Sequence, residues 1–323
     1  MKKTGLLLLL CAISACAQDL TPAGVVPDVV NAPPNTMPTA NSFPVQRIQT
    51  PTYADLYCAG FINKQLLPNA NYVAGGLNTP NTTKYATGDI VFLAGTGYTL
   101  GGQYTILREL KDQNRYESFE NQHKILSETG QPYGEIGRVR VVDMRSKMAI
   151  AQIEYSCDPV NPGDIAVPFA EKQTITFRTP GRYDRMLPAT GKLSGRIVLA
   201  RDFDTIVGTG QKVYMNVGAN QGVKVGDYFR GVRSYTADLK DPVDSLSFAA
   251  STVEDTQRRP ASIEGNFMTK TKGPNIHVSD LPRRAVGEIV IIGVTPTTST
   301  GMVVSSFEDV HVGDGVELDD QAQ

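Results

Sequence analysis

Apolar positions along this chain fall in short runs broken by Gly, Asp, Pro and Asn, a strand-and-turn pattern. Val139-Arg140-Val141-Val142 and Ala149-Ile150-Ala151-Gln152-Ile153-Glu154-Tyr155 flank the polar Arg145-Ser146-Lys147, which predicts a hairpin. Ile289 to Val294 and Gly301 to Ser305 flank Thr295-Pro296-Thr297-Thr298-Ser299 and predict a second one. Many short strands leave open edges unless a sheet closes on itself, so small barrels are the economical architecture. The expected class is mainly β, as two tandem small β-barrel-like modules with short helical or irregular inserts.

The pattern repeats. A first copy runs through Ala59-Gly60-Phe61-Ile62, Ile90 to Leu93, Gly102-Gln103-Tyr104-Thr105, Gly134 to Val139 and Pro162-Gly163-Asp164-Ile165. A second runs through Ser194 to Val198, Lys212-Val213-Tyr214-Met215, Gly226-Asp227-Tyr228-Phe229, Gly287 to Ile291 and Val312-Gly313-Asp314. The landmarks keep their order, and such self-similarity sets the domain reading. The first module is placed at 53–180 and the second at 181–323, joined by Arg182 to Thr190. Glu109 to Tyr133 forms an insert in the first copy, with a short helix expected over Tyr116 to Leu126. Residues 234–284 form a longer one in the second, weakly helical over Asp238 to Glu254. Long inserts on a rigid frame are functional or merely tolerated, and both readings stand.

Gly88-Asp89, Gly163-Asp164, Gly226-Asp227 and Gly313-Asp314 each precede an apolar or aromatic run. Glycine accepts the positive φ of a tight turn, and aspartate caps nearby backbone N–H groups. Gly163, Asp164, Gly226, Asp227, Gly313 and Asp314 are therefore read as structural turns. A metal role needs a ligand spacing such as D-x-D-x-D-G, which the chain lacks.

The start of the chain differs from the rest. Lys2 and Lys3 precede an apolar stretch from Gly5 to Ile13, then small residues lead to Cys16. That run is far short of the roughly 20 residues a spanning helix needs, so residues 1–17 read as a cleaved signal peptide. Ala15-Cys16-Ala17 fits an A-x-A cleavage site. Ile13-Ser14-Ala15-Cys16 resembles the bacterial lipobox, which makes Cys16 the lipidation residue, and the short apolar stretch favours it. Residues 18–52 carry Pro22, Pro27, Pro33, Pro34, Pro38, Pro44 and Pro51 and read as a disordered linker. The expected location is the periplasm or outer membrane, through a lipid anchor.

With 323 residues, 41% hydrophobic and 20% charged, the chain has room for about two domains. A net charge of −2 argues against a nucleic-acid partner. Beyond Cys16 only Cys58 and Cys157 remain, and in an exported protein they are expected to form a disulfide. Free buried thiols and a reactive pair are the rival readings. His123, His277 and His311 are scattered, with no zinc spacing. No G-x-S-x-G elbow and no P-loop occurs. A glycosidase carboxylate pair depends on three-dimensional separation and stays open. No catalytic, cofactor-binding or metal residue is assigned, and no cofactor is expected.

The run from Gln211 through Asn216-Val217-Gly218 and Gly222-Val223-Lys224-Val225-Gly226-Asp227 to Phe229 resembles the C-terminal domain family of flagellar assembly protein T. The likeness extends to Gly195-Arg196-Ile197-Val198, Gly287-Glu288-Ile289-Val290 and Val312-Gly313-Asp314. The first copy matches faintly, with Thr96-Gly97-Tyr98-Thr99-Leu100-Gly101-Gly102 lacking the motif's Asp. The chain also looks like exported bacterial proteins carrying such tandem modules, some beside LysM repeats, of which none is present here. The resemblance implies a non-catalytic β module used in envelope assembly, and it carries over no active site. The expected role is a structural or scaffold protein of the cell envelope. Its expected partners are envelope proteins and the membrane through the lipid anchor, with peptidoglycan and an oligomer left open. The alternative is a module binding peptidoglycan or another envelope glycan, and the third reading is a secreted hydrolase.

Overall fold

The computed structural model describes residues 50–79, 81–111, 116–145, 147–178, 184–186, 188–234 and 282–319. Cys16, the proline-studded segment up to residue 49, His277 and residues 235–281 of the second insert lie outside the described residues.

A five-residue helix, α1 (Tyr53–Tyr57), and strand β1 (Phe61–Asn63) come first. Thr52 and Asp55 start the helix reciprocally: Thr52 N–H donates to Asp55 Oδ2 at 2.8 Å and Asp55 N–H donates to Thr52 Oγ1 at 3.2 Å. The first ring then runs through β2 (Tyr72–Gly76), β3 (Ile90–Ala94), β4 (Gln103–Glu109), β5 (Gln131–Arg145), β6 (Met148–Ser156) and β7 (Ile165–Pro168). Its strands pair in the order β5-β4-β7-β2-β3-β6, and β6 closes back on β5. Helix α2 (Gln122–Thr129) lies in the connection between β4 and β5.

The second ring uses β8 (Ser194–Ala200), β10 (Lys212–Met215), β11 (Tyr228–Arg233), β12 (Arg284–Val294), β13 (Ser299–Ser306) and β15 (Gly315–Leu318). Its order is β12-β11-β15-β8-β10-β13, while β9 (Ile206–Val207) and β14 (Val310–His311) form a separate ribbon. Strand for strand this is the first ring again: β2 matches β8, β3 matches β10, and so on to β7 and β15. The chain is thus mainly β, with two six-strand closed barrels side by side.

Alternation fills each barrel. In β3, Val91 and Leu93 point inward and are sealed, while Ile90, Phe92 and Ala94 face out and are partly exposed. Val73, Ile106, Val139 and Ile153 complete the first interior. Ile197, Val213, Phe229, Ile289 and Val303 fill the second. Both expected hairpins form, with Arg145 opposite Met148 and Val294 opposite Ser299.

Two expectations need correction. Ala59 to Ile62 is not the first strand of the first copy. β1 pairs with Gln131 to Tyr133 at the entry of β5, outside the ring, and β2 takes the place that β8 holds in the second barrel. The helix expected over Tyr116 to Leu126 starts late. Asn121 sits in the left-handed region at φ 65°, which a helix cannot contain, so α2 begins at Gln122.

Candidate functional site

The glycine-aspartate pairs fold into one repeated device. In each, aspartate N–H donates to the carbonyl three residues back, at 3.0 Å in Ala86–Asp89, 3.2 Å in Asn161–Asp164, 3.1 Å in Lys224–Asp227 and 3.0 Å in His311–Asp314. The aspartate carboxylate accepts the N–H of that same residue, at 2.7–2.9 Å. Gly88, Gly163, Gly226 and Gly313 supply the positive φ, between 93° and 109°. Before β10 the same turn is built with glutamine: Gly208 N–H donates to Gln211 Oε1 at 2.5 Å around Gly210 at φ 90°. Before β4 no carboxylate is present, and Thr99 N–H donates to the Tyr104 hydroxyl at 3.0 Å.

Two of these aspartates do a second job. Arg108, near the end of β4, donates Nε to Asp164 Oδ1 at 2.8 Å and Nη2 to Asp164 Oδ2 at 2.7 Å. Arg233, at the matching end of β11, does the same to Asp314 at 2.8 and 2.9 Å. Each guanidinium also reaches a carbonyl at 2.7 Å, Pro159 in one barrel and Asp309 in the other. These carboxylates are occupied by arginine and backbone, so the turn reading describes them fully.

The seam between the barrels is built mostly from the α1–β1 segment. The Tyr214 hydroxyl donates to Ala59 O at 2.8 Å, Thr300 to Gly60 O at 3.0 Å and Thr298 to Ile62 O at 2.7 Å. Burial pushes the Tyr214 phenol well above its ordinary pKa, so it remains a donor. Gly60 has φ 70°, and a Cβ there would lie 2.5 Å from the Tyr214 hydroxyl, so only glycine fits. Cys58 and Cys157 are bonded, with Cα atoms 5.9 Å apart, which ties this segment to the end of β6. Asp55 pairs with Lys212 across the seam. Burial raises the Asp55 pKa, but hydrogen bonds from Lys212 and Thr52 outweigh it and hold the carboxyl below its ordinary value.

The first insert is the other clasp. Phe119 is 1% exposed and lies in the core cluster of the second barrel, under the Arg196 guanidinium at 5.0 Å. Gln122 Nε2 donates to Val198 O at 3.0 Å, and Ile125 and Leu126 pack on the same surface. The described part of this insert is a strap that fixes one barrel to the other. The chain leaving the first barrel is pinned likewise: Lys172 Nζ donates to Glu135 Oε2 and Leu56 O, both at 2.7 Å. Arg178 pairs with Glu288 and Asp319, both at 2.8 Å, and stacks on Tyr228. Residues 179–183 and 187, which include the start of the link expected at Arg182 to Thr190, lie outside the described residues.

Two cavities open at the seam. One, of about 360 Å³, is bordered by Phe61, Glu135, Lys172, Ile292, Val294 and Thr300. Its buried carboxylate, Glu135, accepts the Gly60 N–H at 3.0 Å as well as Lys172, so each of its oxygens has a partner. The other, of about 350 Å³, is bordered by both cysteines, Tyr155, Arg201, Gln211 and Lys212. Arg201 there pairs with Asp158 at 3.0 Å and Asp202 at 2.7 Å. Among the described residues, no group of three His, Cys, Asp or Glu side chains is placed to hold a metal ion. His123 pairs with Glu117 at 3.5 Å at the surface, and His311 is buried within β14.

The structure brings together Cys58 and Cys157, and it sets Asp164, Asp227 and Asp314 in their turns. Sequence reading missed Arg108, Arg233, Phe119 and Lys172. The two arginines carried a usable signal, because each ends the strand that matches the other's in the duplication. In comparison with known proteins, the chain matches no family model and no curated protein.

Proposed function

We propose that this chain is a non-catalytic structural protein of the bacterial cell envelope, exported and anchored through lipid on Cys16, which serves as a scaffold in envelope assembly. The observation that carries the reading is the use made of its charged and reactive groups. Arg108, Arg233, Lys172, Arg178, Asp55, Glu135 and the cysteine pair are all engaged in closing turns or fixing one barrel to the other. A molecule whose chemistry is committed to rigidity is suited to hold partners at a fixed spacing. The likeness of Gln211–Phe229 to an envelope-assembly module supports the same reading. In the structure those residues supply β10, a 3-10 turn at Ala219–Gln221, the Lys224–Asp227 turn and the start of β11.

Mild in-cell crosslinking with membrane fractionation tests it, using the full chain and a Cys16→Ala variant. Defined envelope proteins joined to the wild type, with membrane association lost in the variant, are expected. A chain that joins no protein and follows the cell wall regardless of Cys16 replaces the scaffold with the glycan-binding reading.

A further inference from the structure

The duplication makes the two barrels comparable position by position, and the tips of their matching hairpins have opposite fates. β5 and β12 are bulged at the same places: between Arg138 and Val139 and between Val141 and Asp143 in one, between Glu288 and Ile289 and between Ile291 and Gly293 in the other. The hairpins then close inside the equivalent pairs Met144–Ala149 and Val294–Ser299. Val142 therefore stands where Ile292 stands, Met144 where Val294 stands and Met148 where Thr298 stands. In the second barrel this tip is built into the seam. Ile292 is 3% exposed in a cluster with Leu56 and Ile175, and Thr298 is 1% exposed and donates to Ile62 O. In the first barrel Val142, Met144 and Met148 are 44%, 51% and 44% exposed.

Two more apolar side chains join them. Leu100, 69% exposed, lies in the loop from β3 to β4 at the same end of the barrel, and Tyr72, at the start of β2, lies level with Ala94 beside that loop. Of the eleven large apolar side chains exposed among the described residues, these are five. A concentration of that kind marks a contact surface. It is borne on turns: β4 stops pairing at Gln103, opposite Arg140, while β5 runs on to Arg145. The 15 residues of β5 also carry this tip away from its entry at the seam.

Charge separates this tip from its twin. Where the tip in the seam holds Gly293, Thr295 and Thr297, the first barrel holds Asp143, Arg145 and Lys147. Arg145 and Lys147 are exposed, and Arg140 follows below, paired with Glu154 on the barrel wall. A dry protein seam would strip such charges of water. A layer of anionic headgroups receives cations at its surface and apolar side chains beneath it. Lys and Arg can lay their stems along the apolar region with their heads outside it, and tyrosine suits the same boundary. The backbone is ready to leave water as well. Met144 and Arg145 pair with Ala149 and Met148, Gly101 N–H donates to Val141 O at 2.8 Å, and Val141 N–H donates to Gly102 O at 2.9 Å.

We propose that this end of the first barrel sits in the headgroup layer of a membrane rich in anionic phospholipid, with Leu100, Val142, Met144 and Met148 below the phosphates and Arg145 and Lys147 among them. The contact rests on the scaffold reading only for which membrane is met, and it would fix how the two barrels stand on that membrane. Chain length allows it. α1 meets β6 at Tyr155, and from there to Met148 is ~23 Å of strand. The 35 residues between Cys16 and Thr52 can reach at most on the order of 100 Å, so an anchor on Cys16 leaves the tip within range of the same surface.

The test uses the full-length chain on vesicles of phosphatidylcholine with about 30% phosphatidylglycerol, and on phosphatidylcholine alone. An environment-sensitive fluorescent residue is placed at position 144 or, as the control, at position 77. Leu77 is 67% exposed and follows β2 at the opposite end of the barrel. On the anionic vesicles a blue shift and quenching by lipid-borne bromine are expected at position 144, and neither at position 77. Arg145→Glu/Lys147→Glu and Leu100→Glu, all at exposed positions, should keep the wild-type melting transition. Each should shift the balance from lipid-facing to water-facing tips at least about tenfold. A probe at 144 that stays in water, responds no more than the one at 77, or responds equally on uncharged vesicles overturns the proposal. So does a photo-crosslinking residue at 144 that captures protein and no lipid in cells. The two readings fail separately. A chain still anchored through Cys16 with position 144 in water loses only the tip contact. A chain without lipid on Cys16 whose position 144 enters anionic vesicles loses only the anchor.

Discussion

The guanidinium of Arg233 grips the carboxylate of Asp314 through two parallel hydrogen bonds, at 2.8 and 2.9 Å, with the two side chains 4% and 0% exposed. The same carboxylate closes the turn that starts β15, accepting His311 N–H at 2.7 Å. One residue thereby fixes both the turn and the strand across from it. The twin pair, Arg108 and Asp164, has the same geometry, but its arginine is 29% exposed.

That difference sets a ranking. Removing one partner of a buried pair costs about 3–5 kcal/mol, and Arg233 would then have Glu308 at 4.0 Å in place of its bidentate partner. Asp314→Ala is expected to cost that much. Asp164→Ala, whose abandoned arginine can turn to water, is expected to cost about 1–3 kcal/mol. Urea unfolding followed by a probe in each barrel measures both, and equal losses would contradict the burial argument.

Gly313 and Gly163 form a second matched pair, with φ 109° and 93°. Alanine is strained at both, by about 1–2 kcal/mol. Only at Gly313 would the new Cβ also press on Phe119, 2.9 Å from its Cβ. Gly313→Ala should therefore be the more damaging substitution, and its excess should shrink in a Phe119→Ala background, which removes the ring atoms at 3.0 Å but keeps the Cβ. Phe119→Ala itself opens a hole in the second core and is expected to cost about 3–5 kcal/mol. A double-mutant cycle over Gly313 and Phe119 reads the coupling directly, and additive effects would show that the strap does not bear on this turn.

The barrels and their turns were legible because their signals are local. Gly-Asp before an apolar run specifies a turn feeding a strand whatever surrounds it, and the hairpins at 145–148 and 294–299 announced themselves the same way. β2 was missed because Tyr72-Val73-Ala74-Gly75-Gly76 offers few β-branched residues and ends in glycines. Those glycines answer to tertiary neighbours, since a Cβ on Gly76 would lie 2.5 Å from the Tyr85 ring. β1 was misassigned because Phe61-Ile62 looks like any buried strand, and nothing local says that it belongs to the seam. The clasps were illegible for the same reason. Phe119 and Lys172 act on partners far along the chain, Arg196 for one and Leu56 for the other.

The Cys58–Cys157 bond should matter beyond its own loop. It anchors the segment whose carbonyls at Ala59, Gly60 and Ile62 receive the second barrel. Closing a loop of about 100 residues stabilises by up to ~4.7 kcal/mol in the chain-entropy model. Reduction, or a Cys58→Ala/Cys157→Ala double variant, is expected to lower the melting temperature on the order of 10 °C. It should also speed proteolysis around residues 50–60, because the seam segment loses its tether. Oxidised and reduced protein melting together, with equal cleavage, would mean that the packing of Leu56 and Ile62 suffices alone.

Stability should also respond to acid, and the sign follows from Asp55 at the seam and Glu317 on β15. At Glu317 burial raises the carboxyl pKa, but Arg283 and the Thr190 N–H outweigh it, so both groups sit below their ordinary values in the folded protein. Ordinary carboxyl values lie near about 4, so between there and the lower folded values the unfolded chain binds more protons than the native one. Stability from these pairs is therefore complete above about pH 5 and declines as pH falls through the depressed values. Asp55→Asn removes one contributor. It should be less stable than wild type at neutral pH, and the two should converge as pH falls through the depressed value of Asp55 and the wild-type carboxyl takes up its proton. Urea midpoints across that range measure the gap. A gap of the same size at both ends would assign the effect of Asp55 to the Thr52 cap, and not to its charge on Lys212.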